Sequence, residues 1–263
     1  MLLAHLSDTH ITAGILAGTP AERCYQAFKR VNALDPKPDC AVITGDLVDR
    51  GEHTEYESAL QLLRMLDIPV HVIPGNHDHA PRMLEVLSDS GFVREAAAEA
   101  GRCYYRVDYP RLRLFCCDSS VPGHHSGELG STQLAWLDSE LRRDPDTPAI
   151  LAMHHHPVPS GIAAMDRVVL SDAPALEGLL LNHPPLTRIL IGHLHRPMAA
   201  MFAGSLLVSA PSTYRQVFLD LGGGQKGAFV DEPTGVLLHS LAGATAVTHV
   251  LPVQHSGPPI GDF

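Results

Sequence analysis

A layered α/β fold is predicted by two features of this 263-residue sequence. Apolar runs of strand length alternate with amphipathic stretches of helical period through most of the chain, and the runs repeatedly end in a turn rich in Asp, Asn and His. No repeat, low-complexity linker or break in composition interrupts the alternation. One domain is therefore expected over residues 1–263, with 220–263 supplying a C-terminal strand pair and tail.

Strands are expected at 2–7, 40–45, 69–73, 103–108, 111–117, 148–153, 187–192 and 200–209, with a C-terminal pair at 235–240 and 245–251, because these runs are apolar and bounded by turn residues. Between them lie helices. The clearest spans 54–67, where Thr54 and Glu57 form a T-x-x-E capping box ahead of Leu60, Leu63 and Leu66. A second spans 131–143, with Leu134, Leu137 and Leu141 at helical spacing behind Ser131 as cap. Further helices are expected at 20–34, 80–90 and 171–182. The hairpin-rich later region adds antiparallel strands, so the sheets should be mixed. The tail from Pro252, "PVQHSGPPIGDF", has the Pro and Gly content of an irregular segment.

Composition excludes several classes. With 45% apolar residues and mean hydropathy near zero, the chain reads as soluble and globular. No run is long enough to span a membrane, and "MLLAHLSDTH" has neither the apolar length nor the basic lead of a signal peptide, so a cytoplasmic protein without membrane partners is expected. A formal charge of −10 argues against a nucleic-acid polymer as partner, since such binders need a basic face. A small anionic substrate remains compatible, because bound divalent cations invert the local field. The five cysteines show no CxxC pair and sit mostly in apolar runs such as "RLRLFCC"; buried free thiols are expected.

The outlying number is 17 histidines, nearly as many as the 19 Lys and Arg together. Their spacing locates a site. "LAHLSDTH" ends at Asp8 and His10, "CAVITGD" at Asp46, "HVIPGNH" at Asn76 and His77; "AILAMHHH" begins its imidazoles at His154, and "RILIGHLH" carries His193 and His195. Each cluster follows a predicted strand, and sites in layered α/β proteins form where the carboxyl ends of strands converge. If the D-x-H and H-x-H pairs are extended, positions i and i+2 point to one side and both members reach one centre. Gly45, Gly75 and Gly192 read as turn formers that place the ligands. Alone, Asp8 or Asp46 would be an ordinary turn carboxylate and His154 a hydrogen-bonded rim histidine; coincidence at several strand ends favours ligands. Mixed imidazole, carboxylate and amide oxygen suits Zn, Mn or Fe, and the donors exceed what one ion needs, so two ions sharing Asp46 fit better.

In order and form, D-x-H at 8–10, "GDLVD" at 45–49, G-N-H-D at 75–78, a strand-end His at 154 and G-H-x-H at 192–195 resemble the signature of calcineurin-like metallophosphoesterases. Within that family "MLLAHLSDTH", "MHHHPVPSG" and "LTRILIGHLH" most resemble bacterial class III cyclic-nucleotide phosphodiesterases and the related glycerophosphodiesterases. The resemblance implies two mixed β-sheets packed as a sandwich flanked by α-helices, an αββα arrangement. It also implies that Asp8, His10 and His195 hold one ion, that Asn76, His154 and His193 hold the other, and that Asp46 bridges. His155 and His156 would lie behind the ligands or be exposed.

The activity implied is hydrolysis of a small phosphodiester, 3′,5′-cyclic nucleotides first and glycerophosphodiesters as the alternative, by a hydroxide generated between two divalent ions roughly 3.5–4 Å apart. The scaffold alternative, a fold that has lost its ligands, is countered by the presence of every ligand position. His77, beside Asn76 but outside the ligand set, is the candidate proton donor to the leaving group. Asp78 is expected to orient an imidazole or brace the turn, and Asp49 to brace its loop. The loop 11–23 can form one wall of the site. Arg215, in "PSTYRQ", stands where glycerophosphodiesterase relatives carry a substrate-facing His; it can grip a phosphate oxygen bidentately. Relatives often associate through their C-terminal regions, so a homo-oligomer is expected.

Overall fold

The computed structural model describes residues 1–13, 18–224, 226–242 and 245–253. The strands are β1 (Leu2–Leu6), β2 (Cys40–Thr44), β3 (Val70–Ile73), β4 (Tyr105–Tyr109), β5 (Leu112–Cys116), β6 (Ala149–Ala152), β7 (Arg188–Ile191), β8 (Met198–Phe202), β9 (Ser205–Ser209), β10 (Gln216–Val217), β11 (Phe229–Val230), β12 (Gly235–Ala242) and β13 (Thr245–Pro252). The helices are α1 (Thr19–Asn32), α2 (His53–Leu63), α3 (Ala80–Leu87), α4 (Gly130–Arg143) and α5 (Ala173–Leu180).

Two mixed sheets form, in the orders β13-β12-β1-β2-β3 and β4-β5-β6-β7-β9-β8, with a small β10-β11 ribbon beside them. The central strands β1, β2 and β3 run parallel, as do β5, β6, β7 and β9, while β12, β13, β4 and β8 are antiparallel additions at the edges. The parallel strands read as unbroken apolar runs because both faces are covered. Alternation along them sorts side chains into layers: Leu114, Cys116, Ile150, Ala152 and Leu190 face the first sheet, whereas Phe115, Leu151, Ile189 and Ile191 pack on α4 and α5. The far face of the first sheet meets Cys24 and Phe28 of α1, Leu62 of α2 and Met83 of α3. Each fully buried Leu, Ile or Phe contributes about 1.5–3 kcal/mol of transfer free energy. The result is the helix–sheet–sheet–helix sandwich that the family resemblance implies.

The differences from expectation are local. The run at 200–209 is a hairpin, β8 and β9, turned at Ala203 and Gly204 with φ of 48° and 74°. Helix α2 is capped two residues earlier than the Thr54/Glu57 pattern predicts: the box is made by Glu52 and Glu55, and Glu55 also accepts from Arg50 N at 3.0 Å. Ser131 does not cap α4; the Asp172 carboxylate, from the start of α5, accepts from Leu129 N and Gly130 N instead. The β10-β11 ribbon was not anticipated, because strands of two residues carry no periodicity. All five cysteines are free and buried. Within the tail expected from Pro252, residues 254–263 lie outside the described residues, as do residues 14–17 of the loop expected at 11–23.

A polar chain crosses the interior. Arg188 on β7 donates Nε–H to Thr248 Oγ1 (3.4 Å), Thr248 Oγ1 meets His239 Nδ1 (2.9 Å), and His239 Nε2 meets His5 Nδ1 (3.4 Å). His5 Nε2 then reaches Thr44 Oγ1 (2.9 Å), whose hydroxyl meets Ser7 Oγ (2.9 Å). His239 Nε2 and His5 Nδ1 face each other across a single proton, so the two rings cannot both be cations. Burial, reinforced by the two rings' mutual proximity, holds His5 well below its ordinary value; burial and then the Arg188 charge bring His239 down to about 3. Because the unfolded chain binds these protons first, stability falls as pH drops below about 6.5, by up to about 1.4 kcal/mol per pH unit for each imidazole. His239→Gln should therefore lower the urea midpoint at pH 7.5 yet flatten its decline between pH 6.5 and 5. An unchanged slope would show that His239 is not among the groups that titrate on unfolding.

Candidate metal centre

The carboxyl ends of β1, β2, β3, β6 and β7 meet at one mouth of the sandwich and bring the predicted residues together. Ligand-capable atoms of Asp8, His10, Asp46 and His195 lie within 4.8 Å of one another, and so do those of His154, His155 and His193. His10 Nε2 is 3.1 Å from His195 Nε2 and 3.6 Å from Asp46 Oδ2, and His195 Nε2 is 3.4 Å from Asp8 Oδ1. On the other side, His154 Nε2 is 3.4 Å from Asp46 Oδ1, 3.2 Å from Asn76 Oδ1 and 3.2 Å from His193 Nδ1. Asp46 thus faces both groups, one oxygen toward each. Asn76, a side-chain amide, completes the second.

The outer nitrogens fix which atom of each ring points inward. His154 Nδ1 donates to Thr44 O at 2.7 Å, His193 Nε2 to Val168 O at 3.0 Å and His195 Nδ1 to Arg215 O at 2.8 Å, while His10 Nδ1 lies 3.3 Å from Asp49 Oδ1. A nitrogen facing a carbonyl must carry the proton, so its partner across the ring offers a lone pair to the centre. Two close pairs of inward nitrogens, around the buried carboxylates of Asp8 and Asp46 and the half-buried Asn76 amide, are held where a cation relieves their mutual repulsion. The charges agree. Burial opposes ionisation of Asp46, yet His154, His10 and His77 together hold its carboxyl well below the usual range. Burial pushes Asp8 up to about 6, against the pull of His154. Burial also opposes the cation of His154, but Asp46 and Asp8 outweigh it and raise that ring to about 9. Positive charge is favoured beside the two carboxylates, while burial lowers the pKa of His10, His193 and His195 and leaves those rings neutral with lone pairs to offer, a combination that a divalent ion satisfies.

Local backbone geometry differs from the extended pairs that the spacing suggests. Asp8, His10, Asp46, His193 and His195 have positive φ of 53°, 46°, 49°, 67° and 50°, and the only other non-glycine residue like them among those described is Ala203. The D-x-H and H-x-H pairs converge through left-handed turns, not strand alternation. Such residues cost of order 1–3 kcal/mol each and persist where surrounding contacts over-determine them. Here the contacts are Asp8 N to Gly45 O, His10 N to Asp46 O and His193 N to the Asp8 carboxylate. Of the glycines, Gly45 does turn the chain, with φ of 88°. Gly75 serves by its size: a Cβ there would sit 2.3 Å from Asp46 Oδ1.

Around the cluster the roles shift. His77 Nδ1 donates to Asp49 O at 2.7 Å, its ring centre lies 4.7 Å from that of His10, and its backbone N–H donates to Asp46 Oδ1. Asp78 is the brace of its turn: it accepts from Gly75 N, Leu47 N, Val48 N and the Tyr56 hydroxyl. Imidazole orientation falls to Asp49, through its carbonyl for His77 and its carboxylate for His10. His155 and His156 are fully buried. His155 is engaged by Ser119 Oγ (2.8 Å) and His125 O (3.1 Å), which leaves His154 the better placed of the adjacent rings to face Asp46. His125, which sequence reasoning missed, lies 3.4 Å from Asn76 Nδ2 and 6.4 Å, ring to ring, from His77. Its signal was available: "CCDSSVPGHH" is another strand end, that of β5. A cavity of about 480 Å³ opens beside Asn76 and His77. Arg215 stacks its guanidinium on Phe229 with a 3.6 Å separation.

Residues 1–197 match the sequence pattern of the calcineurin-like phosphoesterases. A protein of Arcobacter nitrofigilis, named a probable glycerophosphodiester phosphodiesterase, is 34% identical over 244 residues, 91% of this chain and 88% of its own. A cAMP/cGMP dual specificity phosphodiesterase of Mycobacterium tuberculosis is 33% identical across 100% of this chain and 82% of its own. Among solved structures, a dimetal phosphatase from Danio rerio shares the fold with a TM-score of 0.72 at 14% identity, over 96% of each chain.

The close approach at Gly75 generates a test. Gly75→Ala must push the Asp46 carboxylate aside, at about 1–3 kcal/mol of overpacking strain. Purified after Mn²⁺ or Zn²⁺ loading, the variant should retain less than half the metal of the parent by mass spectrometry. Full metal content would mean that Asp46 is not needed where it stands.

Proposed function

Because the chain belongs to the calcineurin-like phosphoesterase family, we propose that it hydrolyses small phosphodiesters, with 3′,5′-cyclic nucleotides as first choice and glycerophosphodiesters second. The observation that carries this reading is the shared carboxylate: Asp46 presents one oxygen to His10 and the other to His154, at 3.6 and 3.4 Å. Asp8, His10 and His195 would hold one divalent ion, Asn76, His154 and His193 the other, with Asp46 between them. Imidazole, carboxylate and amide oxygen together favour Fe, Mn or Zn. Such ions, when bound, neutralise phosphate charge and bring the ionisation of water toward neutral pH.

The chain's own residues do the rest. His77 donates a proton to the leaving oxygen from Nε2, the nitrogen opposite the one tied to Asp49 O. Burial disfavours its cation, but Asp46, the Asp49 carbonyl and carboxylate, and Asp78 outweigh burial and raise its pKa, as an acid working near neutrality requires. Asn76 Nδ2 and His125 Nδ1 stand 3.4 Å apart beside His77, where the two side chains would supply donors to a phosphate oxygen. Arg215 contributes positive charge on the opposite side, where it acts on Asp49 and His195. The preference for small diesters over nucleic-acid polymers is supported by the net charge of −10 and by the names of the relatives. No helix among the described residues is long and apolar enough to cross a membrane.

Hydrolysis of bis(p-nitrophenyl) phosphate with added Mn²⁺ should be readily measurable, abolished by chelation and restored by metal; turnover that ignores chelator would end the two-ion reading. His77→Ala should keep its metal content yet lose on the order of 10²–10⁴ in kcat on diesters with poor leaving groups, and far less on p-nitrophenyl esters. Equal losses on both would remove His77 from the acid role.

A further inference from the structure

We propose that Phe229, stacked with Arg215, is a recognition platform for a planar aromatic substituent of the substrate, and so the element that selects nucleotides from other small diesters; the inference rests on the phosphodiesterase reading above. Phe229 opens strand β11 and is 52% exposed, an unusual position for a phenyl ring beside a charged cluster. Its ring centre lies 5.4 Å from that of His195, and the Arg215 guanidinium lies flat against it, with its Nε bonded to no acceptor. Tyr214 backs the same guanidinium at 4.9 Å. A nucleobase adds one more planar layer to such a stack; glycerol has no face to offer, and the Arg215 charge already on the ring repels the cation of a choline or ethanolamine group.

The platform is held in place. Ser212 Oγ donates to Asp8 O and accepts from Tyr214 N and Arg215 N, so the turn bearing Arg215 hangs on the backbone of a ligand residue. Arg23 clamps one flank, donating to Tyr214 O and to Asp231; Arg196 clamps the other, donating to Val217 O and pairing with Glu232. These anchors fix both strands of the ribbon, so the exposed ring is presented at low entropic cost to its ligand. The arrangement also has a direction. Rings run in a row from His77 to His10 (4.7 Å), His10 to His195 (4.9 Å) and His195 to Phe229 (5.4 Å). Phe229 thus stands beside the candidate ligand His195, so a phosphate held at the centre and a base on the ring would be joined across one ribose.

The test compares inhibitors of bis(p-nitrophenyl) phosphate turnover in the Mn²⁺-loaded enzyme. Phe229→Ala should raise the inhibition constant of 5′-AMP on the order of tenfold, leave that of inorganic phosphate within about twofold, and Phe229→Trp should restore AMP binding. An unchanged AMP constant, or AMP and phosphate weakening together, would overturn the platform, since the first says that no stacking occurs and the second that the ring merely props the centre. These results are separable from failure of the parent reading, which shows as absence of chelator-sensitive turnover in the unsubstituted enzyme.

Discussion

The geometry of this protein depends on one constraint: imidazoles that face the centre have their far side committed to oxygen. Thr44, Val168 and Arg215 supply carbonyls that decide the tautomer and tilt of His154, His193 and His195, and the Asp49 carboxylate lies 3.3 Å from His10 Nδ1. Three of the four acceptors are backbone groups, so the donor set is set by where the chain runs and only secondarily by side-chain choice. Thr44 shows how far this reaches. Its carbonyl accepts from both His154 and Ser7, and its hydroxyl receives the buried His5–His239 chain, so the interior polar network and the site share one residue.

That commitment accounts for the strained backbone. Parallel strands deliver side chains perpendicular to the sheet, whereas a compact cage needs them folded back over the strand ends. Left-handed turns at Asp8, Asp46, His193 and neighbouring ligands do this, stabilised by hydrogen bonds between adjacent loops. The same crowding leaves no room for a Cβ at position 75 and explains why a small residue is needed at a site where the backbone itself is unstrained.

The fold was legible in sequence wherever burial on both faces wrote continuous apolar runs, as in β2, β3 and β6, and the clustering of the candidate ligands was legible because each stands just beyond such a run. Reading failed where the cause lay far along the chain. The cap of α4 comes from Asp172, forty-odd residues downstream, and no local pattern at Ser131 could reveal it. Asp78 takes the bracing one of its two expected roles, and Asp49 faces imidazoles where a loop brace was expected, because the choice depends on whether a neighbouring loop presents N–H groups or an imidazole. His125 was overlooked although it obeys the strand-end rule, since "GHHSG" resembles an ordinary polar turn. The β10-β11 ribbon, whose partners are separated by a long excursion, left no periodic trace at all.

Strand β1, which delivers Asp8 and His10, is flanked on one side by β2 and on the other by β12, pairing Leu2 with Ser240 and His5 with Leu237. Strand β1 thus waits for β12, which is made far later in the chain. Loop closure over so long a separation is slow, and until it happens one edge of β1 has no partner. Assembly of the centre consequently depends on β12: a copy interrupted before it would carry every candidate ligand in its sequence while lacking the neighbour that completes the strand bearing Asp8 and His10.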